Sequence, residues 1–169
     1  LASIKGAADI VMDVHLMIEE PIRYVEAFHK AGADILNVHY EACEDVQATL
    51  DAIHKCGMKA GLTIKPATPV EVLKPYLDQA ELFLIMSVEP GKGGQSFIPE
   101  SLDKIRELRG LLNEKGLTAD VEVDGGIHLG NAKEVLESGA NVLVAGSAVF
   151  KDNIAENVKG FMEILNENE

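Results

Sequence analysis

Two polar residues, Asp13 and His15, lie two positions apart within an otherwise apolar run. Alternate residues of a strand point to one face, so a strand here would place both side chains on the same side of a sheet. A histidine at the carboxyl end of a strand can bind a metal ion or a substrate oxygen. The alternative is a pair of hydrogen-bonded polar residues within the core.

Asp124 ends the run VEVD, and Gly125 and Gly126 follow it directly. Its carboxylate is therefore expected at the open end of a strand, where it can act as a base or as a metal ligand. Capping of the next helix is a structural alternative. That helix should begin after Leu129, too far along the chain for Asp124 to cap it.

Three glycine-bearing segments are candidates for binding a phosphate group. They are PGKGGQ at 90–95, DGG at 124–126 and AGS at 145–147. Glycine lets backbone N–H groups approach a ligand without obstruction by Cβ. The alternatives are a mobile surface turn at 90–95 and plain tight turns at the other two. The candidate phosphate- and substrate-binding residues are Gly91, Lys92, Gly93, Gly94, Gly125, Gly126, Gly146 and Ser147.

The other reactive side chains carry weaker signals. Lys65 follows an apolar run and could form a Schiff base with a carbonyl substrate, although a solvated or phosphate-pairing lysine is the simpler interpretation. Cys43 and Cys56 match no C-x-x-C spacing, so we expect neither a disulfide framework nor a thiolate zinc site. Three histidines fall at helix or loop positions and are expected on the surface: His29, His54 and His128.

Short aliphatic or β-branched runs alternate with amphipathic segments along the chain, which predicts β/α units and a parallel sheet. The predicted strands are 10–15, 35–39, 60–64, 82–87, 119–123 and 141–145. Apolar residues recur every three or four positions between and after them, as on the core face of a helix. These residues are Ile22, Val25 and Phe28; Val46, Leu50 and Ile53; Leu102, Ile105 and Leu108; and Ile154, Val158, Phe161 and Leu165. Pro75 predicts a short or kinked helix within 70–79.

Six β/α units fit either a doubly wound sheet or part of a (β/α)8 TIM barrel. No G-x-G-x-x-G follows the first strand, as a dinucleotide-binding sheet would require. Polar or glycine signals instead follow several strands, including His15, His39 and Lys65. In a barrel these strand ends converge on one face. We therefore predict a single phosphate-binding TIM-barrel domain over residues 1–169.

The composition of the chain limits the kinds of partner that the protein is expected to bind. The 169 residues are 47% hydrophobic and 25% charged, as in one folded domain, and the net charge of -13 argues against nucleic acid. No run approaches the ~18 apolar residues of a membrane span, and no charged leader precedes an apolar run, so we expect a cytoplasmic protein. An anionic ligand must be held by local N–H groups or a metal against this overall charge.

Six strings occur in a characteristic order: DVHLM at 13–17, HYEA at 39–42, PATP at 66–69, PGKGGQ at 90–95, VDGGI at 123–127 and VAGSA at 144–148. Together they resemble the ribulose-phosphate 3-epimerase family. The resemblance implies a (β/α)8 barrel that interconverts ribulose 5-phosphate and xylulose 5-phosphate, a step of the pentose phosphate pathway. It also implies one divalent metal ion (Zn, Fe, Mn or Co) and two carboxylates that move the C3 proton on opposite faces.

The resemblance also implies roles for individual residues. His15 corresponds to the family's metal-ligating histidine at the substrate site. Asp124 corresponds to the carboxylate that binds the metal and serves as acid and base. Met17 and Met86 correspond to methionines that line the pocket. The three glycine-bearing segments correspond to the phosphate and substrate loops.

Three departures from the family pattern qualify these expectations. The family's first two strands, which carry the other His and Asp ligands and the second catalytic carboxylate, have no counterpart before Leu1. We therefore expect an incomplete barrel, half a metal site, little or no activity for these residues alone, and open sheet edges that favour a homo-oligomer. Lys65 and Glu89 stand where asparagine is usual, and Lys92 where an aromatic residue is usual.

These departures keep alternatives open. A related 3-epimerase of a six-carbon ketose phosphate, allulose 6-phosphate, would use the same metal and carboxylates. A Schiff-base aldolase would use Lys65, and an orotidine-phosphate-type decarboxylase expects D-x-K-x-x-D where this chain has DVH at 13–15. A non-catalytic phosphosugar-binding barrel would keep the glycine loops alone.

Overall fold

The computed structural model describes residues 1–168, which contain one six-stranded parallel sheet. Each strand pairs with the next along the chain, so the order shows no reversal and no topological switch point. This is the wall of a barrel, and the doubly wound alternative is excluded. The strands are β1 Asp13–Leu16, β2 Ile35–His39, β3 Lys59–Ile64, β4 Leu82–Met86, β5 Asp120–Asp124 and β6 Val142–Val144.

The sheet is curled, because side chains of distant strands meet inside it. Strands lie about 4.8 Å apart, which would separate β2 from β5 by about 14 Å in a flat sheet. Asn37 of β2 nevertheless donates a hydrogen bond from Nδ2 to Glu122 Oε2 of β5 at 3.0 Å. The described residues therefore form a partial (β/α) barrel whose concave face brings β1 close to β5.

Helical segments connect the strands on the outer side. The α-helices are α1 Ala2–Lys5, α2 Val25–Lys30, α3 Val46–Lys55, α4 Ser101–Glu114, α5 Ala132–Glu137, α6 Ser147–Phe150 and α7 Ile154–Asn166. Three short 3-10 helices span Pro21–Tyr24, Tyr40–Ala42 and Val70–Tyr76. Pro75 lies within the last of these, which confirms the short helix predicted there.

The core lies between the outer face of the sheet and the helices. In β2, Leu36 and Val38 are fully buried in this core. The predicted core faces of α3 and α4 are confirmed. Their buried residues include Val46, Leu50, Ile53, Leu102, Ile105 and Leu108.

The predictions were less accurate at the two edges of the sheet. The first strand begins at Asp13 rather than at residue 10, and Ile10 and Val11 are 55% and 70% exposed. In α7 the predicted core residue Phe161 is buried, but Ile154 and Val158 are exposed. The helix packs on α5 and α6, and its apolar residues Ile154, Val158 and Met162 remain exposed.

Candidate active site

A cavity of about 430 Å³ opens at the carboxyl ends of the strands. Residues from all three predicted phosphate segments and both predicted pocket methionines line it. The predicted residues that line it are Met17, Met86, Gly91, Lys92, Gly93, Gly94, Asp124, Gly125, Gly126, Gly146 and Ser147. Segments far apart in sequence thus converge on one face, as the barrel interpretation requires.

Asp124 lines this cavity, and His15, which is not itself among the lining residues, lies beside Asp124. His15 Nδ1 lies 3.8 Å from Asp124 Oδ2, with the two side chains 16% and 27% exposed. In a flat sheet β1 and β5 would lie about 19 Å apart, so the curl of the sheet creates this pair. Because α5 begins only at Ala132, Asp124 does not cap it, and its carboxylate remains directed at the cavity.

A chain of contacts leads from His15 to Glu41. His15 Nε2 lies 2.9 Å from Nε2 of His39, at the end of the neighbouring strand β2. His39 Nδ1 lies 3.3 Å from Glu41 Oε2, and the His39 side chain is only 4% exposed. Sequence reasoning noted His39 as a polar residue after a strand but missed its partner. The signal was present, since Glu41 follows His39 by two residues at the same end of the sheet.

The Glu41 carboxylate is fixed by the segment that follows β3. Its Oε1 accepts hydrogen bonds from the Lys65 backbone N–H at 2.8 Å and from the Thr68 hydroxyl. Burial by itself would raise the pKa of Glu41, but the hydrogen bonds from His39, Lys65 and Thr68 outweigh it and lower the pKa to about 2. Glu41 is therefore an ionised acceptor at neutral pH.

The Lys104 ammonium group holds the same segment from the other side. It donates to the carbonyl oxygens of Lys65, Pro66 and Thr68 at 2.9, 3.0 and 2.6 Å. Burial lowers the pKa of Lys104, while the nearby Glu41 charge opposes that shift. A lysine of α4 thus organises the backbone that Glu41 binds.

The glycines of the cavity serve two distinct purposes. At Gly126, with φ of 64°, an added Cβ would lie 2.3 Å from the Phe97 backbone nitrogen. Gly125 is similarly crowded by Val88. Close packing of two loops therefore explains these two glycines without any ligand. Gly93 and Gly146, by contrast, have open space where a Cβ would stand, as a backbone exposed to a ligand requires.

Side chains also organise the loops around the cavity. Gln95 Nε2 donates to the carbonyl oxygens of Glu89 and Lys92, both at 2.6 Å, and so ties residues 90–95 into a closed turn. The Ser87 hydroxyl donates to the Gly125 carbonyl at 2.7 Å. The segment after β4 is therefore a cross-linked loop next to the one after β5.

A layer of polar side chains lies beneath the cavity inside the barrel. Thr63 Oγ1 donates to Asn37 Oδ1 at 2.8 Å, and Asn37 in turn donates to Glu122. Burial raises the pKa of Glu122 to about 8, helped by the neighbouring carboxylates of Asp13 and Asp124. Burial also raises the pKa of Asp13, against the opposing effect of His15.

The weaker candidates stay outside the cavity. Lys65 is exposed beside a smaller adjoining cavity of about 350 Å³, which His39 and Glu41 also line. The three other histidines are exposed as predicted: His29, His54 and His128. Cys43 and Cys56 are free and partly buried.

The residues present match part of a metal site. Two ligands of one ion, each about 2.1 Å from it, are separated by roughly 3 to 4 Å, and the His15 Nδ1 to Asp124 Oδ2 distance of 3.8 Å fits that range. Within residues 1–168, no group of three or more His, Cys, Asp or Glu side chains is arranged to hold a metal ion. His15 and Asp124 are therefore spaced as two ligands of one ion would be.

The family model and the curated relatives that match this chain all belong to one family. Residues 1–150 match the sequence model of the ribulose-phosphate 3 epimerase family. The ribulose-phosphate 3-epimerase of Bacillus subtilis is 50% identical over 149 residues, covering 88% of this chain and 69% of that protein. That of Synechocystis is 54% identical over 152 residues, covering 88% of this chain and 66% of that protein. The chloroplastic enzyme of Arabidopsis thaliana is 47% identical over 161 residues, covering 94% of this chain and 57% of that protein.

The chain thus spans between 57% and 69% of the length of these three curated relatives.

Solved structures share the fold of this chain. The 3-hexulose-6-phosphate synthase of Salmonella typhimurium superposes with a TM-score of 0.72 at 18% identity, over 99% of this chain and 79% of that one. The 3-keto-L-gulonate-6-phosphate decarboxylase of Vibrio cholerae gives a TM-score of 0.74 at 14% identity, over 99% and 78%. No helix within residues 1–168 is long and apolar enough to span a membrane.

Proposed function

Because the chain belongs to the ribulose-phosphate 3-epimerase family, we propose that it supplies the phosphosugar-binding face and one acid/base carboxylate of an enzyme that interconverts D-ribulose 5-phosphate and D-xylulose 5-phosphate. The observation that carries the proposal is the position of Asp124. Its carboxylate lines a cavity that residues of three glycine-bearing loops also line, and it lies 3.8 Å from His15 Nδ1.

Asp124 acts on the carbon next to the ketone. Its carboxylate takes the C3 proton from one face of the sugar and returns it there in the reverse reaction. Inversion requires a second acid on the opposite face, and the family resemblance assigns that acid to a strand with no counterpart in these residues. One carboxylate is enough for half of the chemistry, because it can exchange the C3 proton of one epimer with solvent.

The phosphate is held by backbone N–H groups of the three loops. Gly93 and Gly146 leave their backbones open to the cavity, and Lys92 adds a positive charge at its rim. Local donors are needed because the net charge of -13 repels an anionic sugar phosphate. The Gln95 hydrogen bonds hold the 90–95 loop in shape before the ligand arrives.

One divalent metal ion (Zn, Fe, Mn or Co) belongs to the proposal, with His15 and Asp124 as two of its ligands. When bound, it would stabilise the negative charge that develops on the substrate oxygens. The chain's own contribution is to hold His15 and Asp124 3.8 Å apart. Because two protein ligands hold a divalent ion weakly, we expect little or no net epimerisation by the 169 residues alone.

The test measures C3 proton exchange rather than turnover. Ribulose 5-phosphate and xylulose 5-phosphate are each incubated with the protein and Zn²⁺ in D₂O. Loss of the C3 proton signal of either epimer is followed by ¹H NMR, and binding is followed separately by ³¹P NMR. Asp124→Asn should bind the phosphosugar but lose exchange by at least about 100-fold. Asp103→Asn, on the exposed side of α4, is the matched control and should behave as the wild type.

Each other result has a definite meaning. Exchange that survives Asp124→Asn contradicts the role of Asp124. Phosphosugar binding without exchange in the wild type favours the non-catalytic phosphosugar-binding barrel, and absence of both contradicts the proposal as a whole. Rapid net epimerisation by the 169 residues would contradict the expectation that their site is incomplete.

The carbon number of the substrate, the location and the oligomeric state complete the proposal. Glu89 and Lys92, which depart from the family pattern, both line the cavity, so allulose 6-phosphate is the rival substrate and should be compared in the same exchange assay. We further propose a cytoplasmic protein that binds neither nucleic acid nor membrane and that forms a homo-oligomer.

A further inference from the structure

In the chain of contacts from Glu41 through His39 to His15, it is fixed which atom donates and which accepts each hydrogen bond. A carboxylate can only accept, so the 3.3 Å contact between His39 Nδ1 and Glu41 Oε2 requires the proton on His39 Nδ1. In the neutral ring Nε2 of His39 is then an acceptor. The partner across the 2.9 Å contact, His15 Nε2, must carry the proton that it donates.

This direction determines which atom of His15 is free. With the proton on Nε2, the lone pair of His15 lies on Nδ1, the atom that stands 3.8 Å from Asp124 Oδ2. A histidine binds a metal ion through such an unprotonated nitrogen, and the hydrogen bond at its other nitrogen selects it. The opposite tautomer would direct an N–H group at the space between His15 and Asp124.

Glu41 is well placed to impose the direction. Its Oε1 accepts from Lys65 N–H and from the Thr68 hydroxyl, so the carboxylate has one orientation, with Oε2 left for His39. The His39 side chain is 4% exposed, which leaves little water to compete for either ring nitrogen. The low pKa of Glu41 means that it stays an acceptor at neutral pH.

We propose that Glu41 and His39 are positioning residues that hold His15 as its Nε2–H tautomer, with the Nδ1 lone pair directed toward Asp124. Neither residue touches the substrate carbon in this role; both act through His15. The link from this tautomer to metal binding rests on the proposed function. The tautomer itself can be measured without any metal.

Glu41→Gln is the decisive variant. It preserves the shape of the side chain, but it reverses the direction of hydrogen-bond donation between residue 41 and His39. The donors Lys65 N–H and Thr68 O–H hold the amide oxygen at the Oε1 position, so the amide NH₂ faces His39 Nδ1. His39 must then accept at Nδ1 and donate from Nε2. His15 in turn accepts at Nε2 and carries its proton on Nδ1.

The experiment is ¹⁵N NMR of the histidine rings in the metal-free protein at pH 8, where an ordinary histidine is neutral. Signals are assigned from His15→Gln and His39→Gln. We expect protonation of His39 at Nδ1 and His15 at Nε2 in the wild type, reversal of both in Glu41→Gln, and the wild-type pattern in Glu41→Asp, which keeps a carboxylate. A wild-type His15 with its proton on Nδ1 overturns the proposal, whether or not any variant folds.

Glu81→Gln is the matched control. Glu81 also joins a histidine to a backbone N–H, through His54 Nε2 at 3.0 Å and Ala60 N–H at 2.8 Å, but it lies far from the cavity. It should leave the His15 and His39 tautomers unchanged. Equal changes in Glu81→Gln and Glu41→Gln, or unchanged tautomers in a folded Glu41→Gln, also overturn the proposal.

Titration with Zn²⁺ then separates this inference from the proposed function. The wrong tautomer should weaken Zn²⁺ binding about 10- to 100-fold in Glu41→Gln relative to wild type and Glu81→Gln. Expected tautomers in a wild-type protein that binds no Zn²⁺ would contradict the metal role of His15 and leave the tautomer assignment supported. Unchanged Zn²⁺ affinity in a Glu41→Gln protein with reversed tautomers would overturn the claim that the tautomer serves metal binding.

Discussion

At the scale of single residues, the barrel interior combines ordinary packing with an unusual concentration of carboxylates. Glu122 is 5% exposed, and its hydrogen bond from Asn37 does not offset the burial and the neighbouring negative charges. These raise its pKa to about 8, so the folded protein holds a proton there that the unfolded chain releases near pH 4.5. Stability contributed by that proton is full below pH 4.5 and is lost as the pH rises toward 8.

Glu122→Gln should therefore flatten the pH dependence of stability. From pH 4.5 to 7, the wild type should lose about 3 kcal/mol of unfolding free energy through this group, whereas the amide variant should not. Urea unfolding at several pH values, followed by circular dichroism, measures the difference. Asp103→Asn should parallel the wild type, and a Glu122→Gln curve parallel to the wild type would show that Glu122 is ionised in the folded state.

Two glycines of the candidate site give a second contrast at this scale. Gly126→Ala forces a Cβ against the Phe97 backbone at a positive φ, so it should cost about 2 to 4 kcal/mol of unfolding free energy. Gly93→Ala meets nothing within 4 Å and should change stability by less than about 0.5 kcal/mol. Chemical denaturation of both variants checks this. Similar losses would mean that packing does not distinguish the two loops.

At the scale of elements, the sequence predicted the positions of all six strands, because buried parallel strands are short apolar runs bounded by turn residues. It could not predict the edges as well. Ile10 and Val11 have the residue types of a strand, but β1 pairs on one side only and they remain exposed. The spacing of His39 and Glu41 put both residues at the same end of the sheet, but the contacts that join Glu41, His39 and His15 depend on side-chain orientations that periodicity does not specify.

The segment after β3 is an element whose shape depends on one distant side chain. Lys104→Met removes an ammonium group that donates to three carbonyl oxygens, so it should cost about 1 to 3 kcal/mol and speed amide hydrogen exchange at residues 65–68. Lys133→Met, whose ammonium group is exposed 3.9 Å from Glu137, is the control and should do neither. Unchanged exchange at 65–68 in Lys104→Met would show that the segment holds its shape without the lysine.

At the scale of the whole molecule, the curvature of the sheet brings the site residues together, but it leaves the two edge strands without a second partner. Bending brings β1 against β5, but β1 and β6 each pair with only one neighbour among residues 1–168. Apolar side chains lie uncovered near both edges. They are Ile10 and Val11 beside β1, and Phe150, Ile154, Val158 and Met162 after β6.

Such edges should make the 169-residue chain self-associate, because unpaired strand backbones and exposed apolar side chains both favour pairing with another chain. Sedimentation velocity between about 5 and 200 µM should show a concentration-dependent rise in mass. The double variant Val11→Lys/Ile154→Lys places a charge near each edge and should shift the midpoint of association at least about 10-fold upward. The double variant Asn113→Lys/Thr118→Lys adds the same charge at two exposed polar positions, at the end of α4 and in the loop after it, and is the matched control for charge alone. A monomer across this range, or an equal shift in both double variants, would show that neither edge drives association.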